Sequence, residues 1–142
     1  MTEHDLAASI LLGTSSGSDP DWTWWVDAAE LAWHRAMSLA ALGDQHAALD
    51  LFREAHETRP LSAHRARYND LAHLVDAQVV ARSWAEAESS LVDVLANLGD
   101  MASTRTRVIL RGTATAIAQA GDRASSTAAD AGHDLLTQLV EG

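Results

Sequence analysis

Residues 29–60 read AELAWHRAMSLAALGDQHAALDLFREAHETRP and determine the architecture that we predict. The apolar residues of this stretch form two runs with the three-to-four-residue spacing of helical faces. Gly43 and Asp44 lie between the two runs, and a glycine there can adopt the left-handed conformation that ends a helix. Pro60 stops the second run, because proline cannot continue a helix. The stretch therefore predicts two antiparallel helices joined by a tight turn.

The remainder of the chain has similar residues that start and end helices. Residues 13–19 read GTSSGSD, a flexible polar stretch, so we expect residues 1–20 to form a flexible or short-helical tail. Asp19 and Pro20 suit the cap and first position of a helix, and residues 21–142 then form one helical domain. Strand patterns are nearly absent. Helices are predicted over 21–42, 45–58, 62–79, 84–98, 103–120 and from about 122 to 139 or 140.

The turn residues recur at a fixed step. Gly43-Asp44 and Gly121-Asp122 are 78 residues apart, and half of that distance, 39 residues, leads to Arg82-Ser83 between two predicted helices. A turn that recurs in this way makes each unit a helix hairpin. We predict an all-α fold of three antiparallel helix pairs stacked as a short α-solenoid, with an ordinary six-helix bundle as the alternative. The same step relates Ala36, Val75 and Ala114; Leu39, Gln78 and Ile117; and Ala48, Ala87 and Ser126, where small residues would let helices approach closely.

The first helix pair resembles a tetratricopeptide repeat. That family has small residues where its two helices meet, a Gly-Asp turn, an aromatic residue in the second helix and a final proline. The matching positions in this chain are Ala36, Gly43-Asp44, Ala48, Phe52, Ala55 and Pro60, and a second unit matches through Trp84, Glu86, Ala87 and Leu91. Its helices are longer than those of the usual 34-residue repeat. The resemblance implies a right-handed superhelix with a concave binding surface.

A narrower resemblance covers most of the chain after Trp22. Residues 24–49, WWVDAAELAWHRAMSLAALGDQHAAL, and residues 102–112, ASTRTRVILRG, look like the C-terminal region of actinobacterial helix-turn-helix transcriptional regulators of the lambda-repressor type. In those proteins a DNA-binding domain precedes a tetratricopeptide-like region. We find no candidate for that domain before Trp22. The resemblance therefore implies the sensing or interaction half of such a regulator.

Composition excludes several classes of function. The formal net charge is −10, and all ten basic residues are arginines, so we expect no direct binding of nucleic acid. The chain has no cysteine, which removes disulfides, thiol catalysis and thiolate metal sites. No segment approaches the roughly 20 apolar residues that cross a bilayer, and no basic segment precedes the apolar run at residues 6–12. We expect a cytoplasmic protein.

The sequence shows no catalytic apparatus. It has no nucleophile elbow, no phosphate-binding glycine loop and no paired-carboxylate motif, so we expect neither enzyme activity nor a cofactor. His34 and His73 are 39 residues apart and would lie at equivalent places on two first helices. No histidine pair has the spacing that builds a local metal site, and no metal is expected.

Two surfaces are candidates for binding. Projection of tetratricopeptide geometry onto the first helices gives a groove that includes Glu30, Trp33, His34, Met37, Asn69, His73, Asp76 and Arg111, beside Ala72, Val80, Val108 and Thr115. Some tetratricopeptide repeats bind the carboxyl terminus of a peptide through Lys, Asn and Arg side chains in this groove. Only Asn69 and Arg111 are suitable here, and the chain has no lysine, so we do not expect such a carboxylate clamp. Trp22, Trp24 and Trp25 either cap the open end of the solenoid or form a second interaction surface.

These features favour a non-catalytic module that binds a protein or peptide and has a regulatory role. A small-molecule- or metal-responsive sensor and a self-associating fragment are the alternatives, and a homodimer is left open. The identity of the partner does not follow from the residues.

Overall fold

A computed structural model of the chain describes residues 21–101 and 103–141, and it describes side chains for residues 28–101 and 103–140. The expected tail at residues 1–20, with the Asp19 cap and Pro20, lies outside the described residues.

The described residues form six α-helices and no strand, which confirms the all-α class. Most ends agree with the predicted ones within about two residues, and the second helix has the predicted bounds. The last helix begins about four residues later than predicted. Within the described residues, no helix combines the length and the apolar content that crossing a bilayer requires. The helices are α1 (Asp21–Ala41), α2 (Gln45–Thr58), α3 (His64–Val80), α4 (Trp84–Asn97), α5 (Thr104–Ala120) and α6 (Ser126–Glu141), with a short 3₁₀ turn at Gly121–Arg123.

The three turns predicted from the 39-residue step share one backbone feature. Gly43, Arg82 and Gly121 have positive φ angles of 87°, 58° and 56°. The amide of each of these residues donates to a carbonyl three residues earlier. At the first two turns the amide of the following residue also donates to a carbonyl five residues earlier. These bonds join Asp44 to Leu39 and Ser83 to Gln78, each at 2.9 Å. Arg82 therefore adopts the backbone conformation that glycine adopts in the other two turns.

The chain divides into two compact units, Met1–Arg67 and Tyr68–Gly142. In the first unit, α1 and α2 form the predicted hairpin, and Asp44 caps α2 by accepting from the amide of Ala47 at 3.3 Å. Small side chains at the contact let the two helices approach closely, as the sequence predicted. The buried apolar residues of this hairpin are Ala29, Ala32, Ala36, Ala48, Leu49, Phe52 and Ala55.

In the second unit, most of α3 and all of α4, α5 and α6 share one hydrophobic core. Side-chain hydrogen bonds also connect these helices: Thr113 of α5 donates to Asp76 of α3, and Ser125 before α6 donates to Glu88 of α4. These four helices are therefore joined by both apolar and polar contacts. The largest fully buried apolar side chains of this core are Leu91, Met101, Leu110, Ile117, Leu135, Val75 and Val94.

The 39-residue step fails after Gly121. Ser126, predicted as a small residue at a helix contact, is exposed, whereas Ala128 is fully buried. The 3₁₀ turn at Gly121–Arg123 delays the start of α6, so the buried face of α6 is displaced in sequence. The close approach occurs instead at Gly132, where an added Cβ would lie 3.0 Å from Cγ2 of Ile117.

Candidate functional site

The predicted groove residues of the first unit lie on one face of α1. Glu30, Trp33, His34 and Met37 have the i, i+3, i+4, i+7 spacing of such a face. His34 and Met37 are exposed, and Glu30 and Trp33 are partly buried. The rings of Trp33 and His34 meet edge to face, with centroids 4.9 Å apart. We call these four residues the α1 stripe.

A buried arginine fixes the carboxylate of the α1 stripe. Nη1 of Arg59 donates to Oε1 of Glu30 at 3.0 Å, and the Arg59 side chain is only 3% exposed. Nε2 of His34 lies 3.4 Å from Oε2 of the same carboxylate. Nη1 of Arg67 donates to the carbonyls of Arg59 and His56, at 2.9 and 3.2 Å, and so holds the chain that presents Arg59. Glu30 is therefore a positioned group, whereas a freely rotating surface carboxylate would have no fixed geometry.

The predicted groove residues of the second unit begin on α3. Asn69, His73 and Asp76 are half-buried, and Asp70 beside them is 1% exposed. The prediction of Ala72 as a groove residue is wrong, because its side chain is fully buried in the core, whereas Val80 is exposed. Burial lowers the pKa of His73 from its ordinary value, the charges of Asp76 and Asp70 oppose that shift, and Arg105 adds to it. We call Asn69, His73 and Asp76 the α3 stripe.

The carboxyl of Asp76 bridges two helices. Burial raises its pKa above the ordinary value, and the opposing influences are the hydrogen bond from Thr113 and the charge of His73. Oγ1 of Thr113 lies 3.0 Å from Oδ1 of Asp76 and 3.1 Å from the carbonyl oxygen of Ile109. A hydroxyl has one proton and cannot donate fully to both acceptors. The Thr113 proton is therefore shared between the Asp76 carboxyl and the carbonyl of Ile109.

On α5 the predicted residues lie at the surface. Val108 is 63% exposed, and Arg111 and Thr115 are exposed as well. The hydroxyl of Thr115 donates to the carbonyl of Arg111 at 2.9 Å. Among the described residues, none forms a hydrogen bond or ion pair with the Arg111 guanidinium. We call Val108, Arg111 and Thr115 the α5 stripe.

The structure thus brings His73 and Asp76 together, and it brings Glu30, Trp33 and His34 together. A single groove that includes both His34 and His73 would join residues of two units, and it stays a prediction. Sequence reasoning missed Arg59, Asp70 and Thr113. Arg59 is a charged residue before a proline, and Thr113 is a threonine within an apolar helix face. Neither pattern indicates in the sequence that the side chain is buried.

Two other predictions concern metals and the tryptophans. Within residues 21–101 and 103–141, no group of three or more His, Asp or Glu side chains is arranged to hold a metal ion. Trp22, Trp24 and Trp25 lie in α1, but their side chains are outside the described residues, so whether they cap the helix stack or form an interface stays a prediction.

No protein-family model matches the chain, and the comparisons with curated proteins and with solved structures found no significant match either.

Proposed function

We propose that this protein is a non-catalytic module that binds a peptide or a protein segment. Its candidate contact surfaces are the α1 stripe in the first unit and the α3 and α5 stripes in the second. The observation that supports the proposal is the common register of the three stripes. Glu30, Asn69 and Val108 are successive members of one 39-residue series, and Met37, Asp76 and Thr115 are successive members of another. All six of these residues are partly or fully exposed although the first helices supply much of the buried core.

The chemistry of the stripes suits recognition of a mixed polar and apolar ligand. Met37 and Val108 present apolar surface, at 38% and 63% exposure. Glu30 and Asp76 offer oxygen acceptors whose positions are fixed by Arg59 and by Thr113, so little side-chain entropy is lost when a ligand binds. A peptide with apolar side chains and hydrogen-bond donors fits this combination.

The regulatory role rests on the resemblance to the C-terminal region of helix-turn-helix regulators. In such a protein the interaction half would respond to a partner and pass that signal to a DNA-binding half. A separate helix-turn-helix protein that copurifies with this chain would support the role.

A peptide-display selection against the full chain tests the proposal. Selected peptides are synthesised, and their affinities are measured by fluorescence anisotropy against the wild type and two valine variants. Val108→Ala removes about two methylene equivalents from the α5 stripe and should weaken binding about tenfold. Val92→Ala is the matched control, because Val92 is also 63% exposed but lies on α4. Failure to select any peptide, or equal affinity of both variants, would refute binding through the stripes.

One observation favours the alternative of a small-molecule sensor. The pKa of His73 is lowered and that of Asp76 is raised, both mainly by burial, so a charged ligand bound beside them would change their protonation. Calorimetry of a bound ligand in two buffers of different ionisation enthalpy would show proton exchange if the sensor reading is correct. For self-association, a molar mass that stays monomeric across a wide concentration range would count against that alternative.

A further inference from the structure

The second unit has a pocket that the function proposed above does not use. It has a volume of about 260 Å³ and lies between the turn that joins α3 to α4 and the end of α5. This volume is slightly below the roughly 300–1,000 Å³ of typical ligand pockets, so it suits only a small molecule or a single residue of a larger ligand. The pocket shares Val80 with the predicted groove, but it has no residue in common with the α1, α3 and α5 stripes. Its principal lining residues are Val79, Val80, Arg82, Trp84, Gln119 and Arg123.

The lining combines two guanidinium groups with an indole. Arg82 and Arg123 contribute positive charge, Gln119 contributes an amide that can donate, and Trp84 contributes a flat apolar surface. Among the described residues, none forms a hydrogen bond or ion pair with either guanidinium. Glu86 and Asp122 are close in sequence, but no carboxylate lines the pocket. The pocket lining is therefore positively charged, although the chain as a whole has a formal net charge of −10.

The backbone at Arg82 provides an independent observation. Its φ of 58° places a non-glycine residue in the left-handed region, where the other two turns of the 39-residue series have glycine. Such conformations are uncommon for residues with a Cβ, and they concentrate at functional sites. A glycine at this turn would relieve the strain but would remove one of the two guanidinium groups from the pocket.

We propose that this pocket binds a carboxylate attached to a flat apolar group. Guanidinium groups donate paired hydrogen bonds that match the geometry of a carboxylate, and the amide of Gln119 can donate a further one. The ring of Trp84 contacts the apolar part, with Val79 and Val80 at its side. Two sources have this chemistry, namely a free aromatic acid and the C-terminal aromatic residue of a peptide. The proposal does not depend on binding through the stripes.

The test uses benzoate as the probe and benzamide as its neutral counterpart, at low ionic strength with the full chain. Binding is followed by NMR at the indole N–H of Trp84, which is assigned with Trp84→Phe, and by calorimetry. Benzoate should shift this signal, and benzamide should bind at least about tenfold more weakly because charge-assisted hydrogen bonds are lost. Equal affinity for benzoate and benzamide would overturn the proposal, as would absence of a shift with both benzoate and the peptide acid described below.

Variants then test the two arginines. Arg82→Gln and Arg123→Gln should each weaken benzoate binding by about tenfold or more, with unchanged circular dichroism. Arg65→Gln is the matched control, because it removes the same charge from an exposed site in the other unit and should leave affinity unchanged. If the control variant loses as much affinity as the other two, general charge explains the binding and the pocket does not.

A pair of dipeptides distinguishes the two sources of carboxylate. N-acetyl-glycyl-phenylalanine is compared with its C-terminal amide in the same NMR experiment. Binding of the peptide acid but not of the amide assigns the pocket to peptide C-termini. Binding of benzoate alone assigns it to small aromatic acids. If neither acid shifts the Trp84 signal, the carboxylate proposal is wrong.

Discussion

Replacement of Arg82 by glycine should stabilise the protein. Arg82 has a φ of 58°, and the left-handed conformation costs a residue with a Cβ about 1–2 kcal/mol. Arg82 is exposed and lies in a turn, so glycine would lose little packing and no helix propensity. Glycine gains about 0.5–1 kcal/mol of conformational freedom in the unfolded chain, which offsets part of the relief. The net gain in the free energy of unfolding is about 0.5–1 kcal/mol.

Two further variants separate the backbone effect from the loss of the side chain. Arg82→Ala also removes the guanidinium but keeps a Cβ, so the free energy of unfolding should stay close to that of the wild type. Gly43→Ala should destabilise, because Gly43 has a φ of 87° in the equivalent turn and an added Cβ would meet no atom within 4 Å. Its cost is therefore due to the backbone conformation alone.

Urea and thermal denaturation followed by circular dichroism give the comparison. For a chain of this length, a gain of 0.5–1 kcal/mol corresponds to a rise of about 2–4 °C in Tm. The expected order of stability is Arg82→Gly above wild type, with Arg82→Ala near wild type and Gly43→Ala below it. If Arg82→Gly is no more stable than Arg82→Ala, the turn at Arg82 does not have the left-handed backbone, and the strain argument fails.

Two other predictions concern the second unit. Gly132→Ala should lower the free energy of unfolding by about 1 kcal/mol in a urea titration, because the new Cβ would lie 3.0–3.3 Å from three atoms of the buried, branched Ile117. Gly112→Ala should instead stabilise α5 by about 0.5–1 kcal/mol, because its new Cβ would have no atom within 4 Å. A change of the same sign in both variants would contradict the packing argument. The pKa of His73 is lowered in the folded state, so its contribution to stability is complete above the ordinary pKa of 6.5 and is lost as pH falls from there through the lowered value. In His73→Gln the free energy of unfolding should therefore fall less as the pH is lowered. The pKa of Asp76 is raised, so its contribution to stability is present below its ordinary pKa of 3.8 and is lost as pH rises through the raised value. Asp76→Asn should therefore remove a contribution of the opposite sign. Unchanged pH profiles of stability in both variants would show that neither group is buried as described.

Signals within a few residues account for most of the helix ends. Gly43, Asp44 and Pro60 act on the backbone next to them, so the bounds of α2 could be predicted as they are observed. Ser103 was predicted as a cap, and its hydroxyl accepts from the amide of Thr106 at 3.2 Å. Periodicity likewise predicted the turn at Arg82, where the residue type gave no indication of a left-handed backbone.

The polar contacts at the candidate site could not be predicted in the same way. Glu30 and Arg59 are 29 residues apart, and Asp76 and Thr113 are 37 residues apart. Whether such groups meet depends on how helices pack, and a helical face can be turned toward a neighbour or toward solvent without a change in its local pattern. His73 and Asp76 were predicted as groove residues, but their burial and the resulting pKa shifts follow from that packing.

The sequence determines the six helices and the step between their turns, because helix propensity, caps and left-handed turns are local interactions. Only the folded chain shows which helices pack against each other and which polar groups are buried there, since both result from contacts between residues far apart in sequence. The last helix illustrates the difference. The 39-residue step predicted a contact at Ser126, but the 3₁₀ turn after Gly121 displaces α6, and the contact forms at Ala128 and Gly132 against the core.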